Sequence, residues 1–270
     1  MNYSLSNMLS SNASGIDSDA KAYIDAVVAG GGTVSGTQRN AINTFYKTGK
    51  TDGWYSSIKR LYLPIWAVAA PNAIDMVART SGTFAGTVTH AAGYVQGNGS
   101  TGKFTSDTNG NAVGMTSSTG GMGALCLLAP TGVGFAAMGG MPGATDALQL
   151  YHNAGTIQCS VAGSPPLATF SGTRATNTGI WVSSRVSTTS LSLYRRTTSG
   201  FSTPATNTTS VAGNTVSTSN ITFMSQISSI YSDGRFGAFF FNLGMTAQQA
   251  TDFTLALKNL WESATGLTLP

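Results

Sequence analysis

The seven residues Gly97-Asn98-Gly99-Ser100-Thr101-Gly102-Lys103 come nearest to a chemical motif in this chain. They satisfy G-x-G-x-x-G and stop one residue short of a phosphate-binding loop, because Phe104 stands where Ser or Thr would hold magnesium. Either phosphate site needs a helix to begin here, since the amides and dipole of the helix end hold the anion. Thr105-Ser106-Asp107-Thr108-Asn109-Gly110 follows instead, which is turn chemistry. The stretch is therefore expected to be a glycine-rich connection between strands.

Acid chemistry is the next candidate. Glycoside hydrolysis needs two carboxyls facing each other across the scissile bond. Glu262 is the single glutamate, and between Asp107 and Asp252 only Asp146 and Asp233 occur, neither beside another acid. A carboxylate pair would have to be assembled from aspartates far apart in the chain. A nucleophile triad lacks both a G-x-S-x-G elbow and an identifiable partner for His90 or His152, so both imidazoles are expected to be structural. Cys126 and Cys159 lie in strand-like segments and are expected as buried free thiols, spacing alone not deciding whether they pair. With two histidines and two cysteines, no zinc site and no cofactor is expected.

Aromatic rings remain. Trp181 and Phe239-Phe240-Phe241 are expected in a core, whereas Tyr151, Tyr194 and Tyr231 stand near strand ends, where a ring can stack on a sugar. Trp54 and Trp66, in and after a helical stretch, are candidates for an apolar docking patch.

These residues must be positioned by a β-rich body. Only 9% of the 270 residues are charged, 33 are Gly, and 41% are hydrophobic. Ser and Thr supply roughly another quarter, so the outward faces carry hydroxyls where ions are usual. Fourteen Lys and Arg against ten Asp and Glu leave a net charge of +4, but the cations are scattered and Arg195-Arg196 is their densest pair. No nucleic-acid surface is expected from that distribution. No apolar run approaches a membrane span, and MNYSLSNMLSSNASG lacks the basic start and apolar middle of a secretory signal, so synthesis in a cytoplasm is expected.

The pattern changes near residue 65. The polar first fourteen residues read as an extended arm, and residues 15–64 read as a short helical region. Asp17 or Ser18 can cap a helix with Ala20, Tyr23, Ile24 and Val27 on one face, and Gly30-Gly31-Gly32 ends it. Ser35 with Gln38 forms a capping box for a second helix carrying Ala41, Ile42 and Phe45. Trp54, Ile58 and Leu61 repeat the helical spacing in a short third helix before Pro64. Residues 65–270 then read as short strands separated by Gly, Asn, Ser and Pro, with Asn153-Ala154-Gly155 as a hairpin turn. A capping box at Thr246 and Gln249 opens a closing helix over about 246–264, with Phe253, Leu257 and Trp261 on one face. The expected fold is mainly β, an antiparallel β-sandwich or jelly roll with an N-terminal helical region and a C-terminal helix.

The block Ala22–Gly31, then Ala41–Phe45 and Gly53–Pro64, resembles the N-terminal helical region of structural proteins from tailed bacteriophages. In those proteins it precedes a concanavalin A-like (laminin G-like) jelly roll. Gly93–Thr101 resembles an early stretch of that jelly roll, and Gly234–Gly244 with the helix after Thr246 resembles its closing strand and helix. The resemblance brings no catalytic motif, and the calcium and sugar loops of true lectins are not visible. It implies a non-enzymatic virion component of tail fibre, spike or capsid surface, in contact with other virion proteins and with its own copies, trimers being common. Host surface glycan is a further partner. A lectin-like module for host attachment is the alternative, and a polysaccharide depolymerase a third reading, which two carboxyls within about 10 Å at the base of a cleft would support.

Overall fold

The computed structural model describes residues 15–131, 136–141, 148–153, 156–162, 168–173, 176–211, 215–216, 218–225 and 231–270. The expected arm, the turn residues 154–155 and Asp146 lie outside them. The chain opens with α1 (Ser18–Ala29), α2 (Gly36–Thr51), β1 (Ile58–Tyr62) and a short α3 (Ala69–Asn72). Strands β2 (Thr83–Ala85), β3 (Val88–Ala91), β4 (Tyr94–Gly97), β5 (Lys103–Thr105), β6 (Gly121–Leu128), β7 (Ala136–Met141), β8 (Leu148–Asn153), β9 (Thr156–Val161) and β10 (Ala168–Ser171) follow. The remainder is β11 (Gly179–Ser187), β12 (Ser190–Thr197), β13 (Gly200–Phe201), β14 (Ala205–Asn207), β15 (Thr222–Phe223), β16 (Arg235–Asn242) and α4 (Ala247–Thr265).

All pairings between the strands are antiparallel. The first sheet runs β13-β12-β11-β6-β16-β4-β3, with β1 also beside β16 and β14 beside β12; the second runs β10-β9-β8-β7-β15-β5-β2. The two sheets enclose one core of Trp181, Leu193, Phe104, Phe223, Phe239 and Phe241, among others. The opposite face of the first sheet, through Leu125, Ile180, Val182 and Phe240, joins the apolar sides of α1, α2 and α4 in a second core. α1, α2 and the terminal helix thus build one helical layer on the first sheet, to which β1 itself adds a strand. None of these helices is long and apolar enough to cross a membrane.

The helix signals act as expected. Asp17 accepts from the Asp19 and Ala20 amides, both capping boxes close, and Gly266 ends α4 at φ 72°. The third expected helix does not form. Trp54 begins a 3-10 turn over Tyr55–Ser57, and Ile58–Tyr62 becomes β1, paired with β16 through Leu61 opposite Phe240 and Tyr62 opposite Phe239. A spacing of i, i+4, i+7 across eight residues is weak evidence beside a free strand edge of Phe-rich sequence, and tertiary pairing decides.

Trp54 is fully buried against Phe45 and Phe253, with ring centroids 5.0 and 5.3 Å away. Its ring lies over Gly49 in the last turn of α2, where an added Cβ would stand 2.5–2.8 Å from three indole carbons. A glycine within a helix costs about 1 kcal/mol relative to alanine, and here it is what seats the indole. Gly49→Ala should therefore destabilise the fold by about 1–3 kcal/mol in urea unfolding, reversing the usual preference for alanine; an increase in stability would show that the ring does not rest on this position.

Candidate functional site

The glycine-rich stretch is a strand connection. Asn98 Oδ1 accepts from the amides of Ser100 (3.1 Å), Thr101 (2.8 Å) and Gly102 (3.0 Å), so the cluster of N–H groups that would cradle a phosphate is already filled by a side chain. β5 follows where a helix would be needed, and Phe104 is buried between the sheets, parallel to Phe239.

The acids do converge, contrary to the sequence expectation. Arg60 on β1 places its Nε 3.4 Å from Asp75 and 3.1 Å from Asp107, so those two carboxyl oxygens are at most 6.5 Å apart, the sum of the two contacts. Asp75 Oδ1 accepts from the amides of Leu61 (2.8 Å) and Val77 (3.0 Å), and Oδ2 from Ala78 (2.7 Å). Asp107 accepts from Tyr62 Oη (2.7 Å), Thr80 Oγ1 (2.6 Å) and the Arg60 guanidinium. Burial pushes the Asp75 pKa up to about 6 against its three backbone donors and Arg60. Burial also raises Asp107, but its Thr80, Arg60 and Tyr62 partners outweigh that and hold it below the usual carboxylate value.

Pairs with pKa values driven apart are how one site obtains an acid and a base. Here the Asp75 side chain has no exposed surface and both its oxygens are engaged. The cluster ties β1, the turn after α3 and the loop after β5 together, and Asp107, Thr80 and part of Arg60 reach solvent from it while Asp75 does not.

The other titrating groups are separate. His90 meets the Phe84 ring edge-on at 4.5 Å with its Nδ1 3.1 Å from Asn72 Nδ2, and burial lowers its pKa. His152 is buried, as are the thiols of Cys126 and Cys159, which are not joined in a disulfide, and burial pushes Cys159 up to about 12. Among the described residues no cluster of His, Cys, Asp and Glu could hold a metal.

The five aromatic candidates do not share a surface. Trp54 lies in the core under α2 and α4, and Trp66 packs beside Tyr23 while its Nε1 donates to the Thr33 carbonyl at 3.2 Å. Tyr194 is stacked on Phe201 on the helix side of the first sheet. Neither tryptophan therefore supplies an open docking patch. Tyr151 occupies the outer face of the second sheet, in a row with Gln158 and Thr169 across three strands, yet it is 3% exposed. Tyr231 is half-buried, bridged to Ser225 just beyond the end of β15.

A concave site lies where the chain crosses between sheets, at the loop from β5 to β6 and the segment before β15. Asn111, Thr116, Ser117, Thr215 and Thr218 surround a cavity of about 440 Å³ floored by Met115 and Val216. Asn109 Oδ1 caps the first bend at the Ala112 amide (2.8 Å), and the Thr116 hydroxyl meets those of Ser118 and Thr119 at 3.0 Å. Gly110 permits the close approach of the second segment, since a Cβ there would stand 2.6 Å from Val216 Cγ1. Among the described residues every polar side chain in the lining is a hydroxyl or an amide, which can donate or accept, and none is charged. The sequence marks this place only as Thr116-Ser117-Ser118-Thr119 and Thr215–Thr218, hydroxyl runs without strand alternation, and composition gives no reason for them to meet.

No protein-family model and no curated protein sequence matches the chain. Solved structures do. Trypanosoma rangeli sialidase in complex with 2,3-difluorosialic acid superposes at a TM-score of 0.55 with 11% identity, over 82% of this chain and 39% of the sialidase. The chain is a jelly-roll-type β-sandwich. Domain 4 of AbnA, a GH43 arabinanase of Geobacillus stearothermophilus in complex with arabinotriose, matches at 0.45 with 13% identity over 73% and 99% of the two chains. The enzymatically active domain of tailspike protein 2 from bacteriophage CBA120 matches at 0.40 with 14% identity over 65% and 29%. At those two scores the likeness carries no argument. The sandwich spans about two fifths of the sialidase's length, and at these identities what is shared is the fold.

The comparison nevertheless corrects the expected function. The expected non-enzymatic structural role rested on acids too few and too scattered for glycoside hydrolysis and on a resemblance without a catalytic motif. Yet this fold recurs in chains of a sialidase, and two of the scattered aspartates meet at Arg60.

Two outcomes follow from the buried groups. Asp75 has a folded pKa of about 6 above an ordinary 3.8, so its contribution to stability is complete below about pH 4 and is lost as pH rises through 6. Relative to the wild type, Asp75→Asn should gain on the order of 2–3 kcal/mol between pH 4 and pH 7 in urea unfolding; a constant difference would mean that Asp75 titrates normally. Cys126 and Cys159 should react with a thiol reagent only after unfolding, and rapid modification of either in the native protein would contradict their burial.

Proposed function

We propose that this chain is a carbohydrate-directed β-sandwich domain that receives glycan in the neutral pocket between the β5–β6 loop and the segment before β15. The observation that carries the reading is the lining itself. A cavity of about 440 Å³ with hydroxyls and one carboxamide around two apolar side chains offers hydrogen bonds to a polyhydroxylated ring and apolar contact to its C–H surface. Among the described residues it offers no ion for a charged ligand. The likeness to part of a sialidase, an enzyme whose structure holds a sialic acid derivative, supports carbohydrate as the ligand class.

The setting in this reading is the surface of a phage particle. It rests on the resemblance of the helical block and the closing strand and helix to tailed-phage proteins. Other particle proteins and further copies of the chain are the companions that setting implies, and host surface glycan is the ligand.

A glycan array, with hits quantified by calorimetry, tests the pocket. Thr116→Glu adds a charge to the lining and Thr218→Trp fills the cavity, and both positions are exposed, so the fold should survive. Each variant should weaken the best glycan by tenfold or more, about 1.4 kcal/mol. A glycan bound equally by both variants, or an array without hits, overturns the assignment.

A further inference from the structure

α2 and α4 lie antiparallel across the first sheet, with Gln38 Nε2 donating to the Ala264 carbonyl at one end (3.2 Å) and Gln249 Nε2 to the Gly53 carbonyl at the other (3.4 Å). Between them runs a groove of about 420 Å³. Its α2 wall extends from Thr37 to Asp52, about 22 Å at 1.5 Å per residue, or four helical turns. Its floor is apolar, built from Ala41, Phe45, Ala256 and Leu260, and Leu255 stands on the rim 44% exposed. Thr and Asn side chains, among them Thr44, Thr48 and Asn259, complete the walls above that floor, so the groove is apolar at its base and polar along its sides.

The charge is one-sided. Asp52 at the end of α2 and Asp252 in the second turn of α4 both line the groove, and no Lys or Arg among the described residues does. Among the described residues the Asp52 carboxylate has neither hydrogen bond nor ion pair, while that of Asp252 accepts from Gln248 Nε2 at 2.9 Å and lies within the field of Arg196. This site is separate from the neutral pocket and does not depend on the carbohydrate reading.

We propose that the groove docks an amphipathic helix of another protein, about four turns long, whose apolar stripe covers Leu255 and Ala256 and whose terminal Lys or Arg meets Asp52 and Asp252. A helix fits better than an extended segment, because no strand edge borders the groove to satisfy an unpaired backbone. Residues 1–14 contain no Lys or Arg and cannot supply the charge. Coulomb attraction at the two carboxylates fixes the direction in which the helix enters, and burial of the leucine rim supplies the affinity.

The probe is a synthetic helical peptide of about 16 residues, with Leu at every third or fourth position and two Lys at one end, labelled at the other. Fluorescence anisotropy against the full chain should show it binding at least tenfold tighter than the same peptide with Glu in place of Lys. Leu255→Glu should abolish binding with the circular dichroism spectrum unchanged, and Asp52→Asn with Asp252→Asn should remove the preference for Lys. Equal binding of the two peptides, binding unaffected by Leu255→Glu, or no binding overturns the proposal. Self-association abolished by Leu255→Glu overturns it in favour of a second copy, and tighter peptide binding after removal of residues 1–14 overturns it in favour of that segment.

Discussion

The alternation of Phe239, Phe240 and Phe241 along β16 places two rings between the sheets and one beneath the helices, so the central strand of the first sheet is buried on both faces. Phe239 and Phe241 stack with Phe223 at 4.6 and 5.4 Å, and Phe240 meets Phe253 of α4 at 4.9 Å. At roughly 1.5–3 kcal/mol per buried ring, this short run joins three layers that would otherwise be two separate pairs. The helices are too short to stand alone, and their burial on this sheet is what makes them stable.

A sheet covered on both sides leaves few places for ions, and the ions it does hold are answered by polar groups. Arg196 reaches Thr254 Oγ1 (2.8 Å) and the Thr251 carbonyl (2.9 Å) on α4, and Arg185, inside the sandwich, donates to the carbonyls of Val161 and Thr188 at 3.0 Å. Neither has an acid in contact among the described residues, and burial lowers the pKa of both guanidinium groups. The scarcity of charge in the composition follows from this layering, since each buried ion needs several donors or acceptors arranged for it.

Local signals were legible in the sequence because their physics is local. The caps at Asp17, Ser35 and Thr246, the stop at Gly266 and the alternation of Leu191 and Leu193 each involve groups within a few residues. What the sequence hid is non-local. β1 exists because β16 lies beside it, 180 residues later in the chain, and the acid pair exists because that same strand carries Arg60 between two loops. Trp54 looked like a surface anchor because nothing nearby in sequence showed that α4 would cover it. The pocket was hidden for the same reason, its two hydroxyl runs lying about a hundred residues apart until the sheets bring the crossovers together.

The doubly covered sheet also divides the accessible surface. The crossovers that form the neutral pocket join the two sheets at one end of the sandwich, whereas the acidic groove lies within the helical layer on the far face of the first sheet. Close-packed interiors transmit strain but do not merge two surfaces. No residue lines both the groove between α2 and α4 and the pocket at the crossover loops. The same burial that removes ions from the core therefore leaves the helical face and the crossover loops as two separate accessible surfaces.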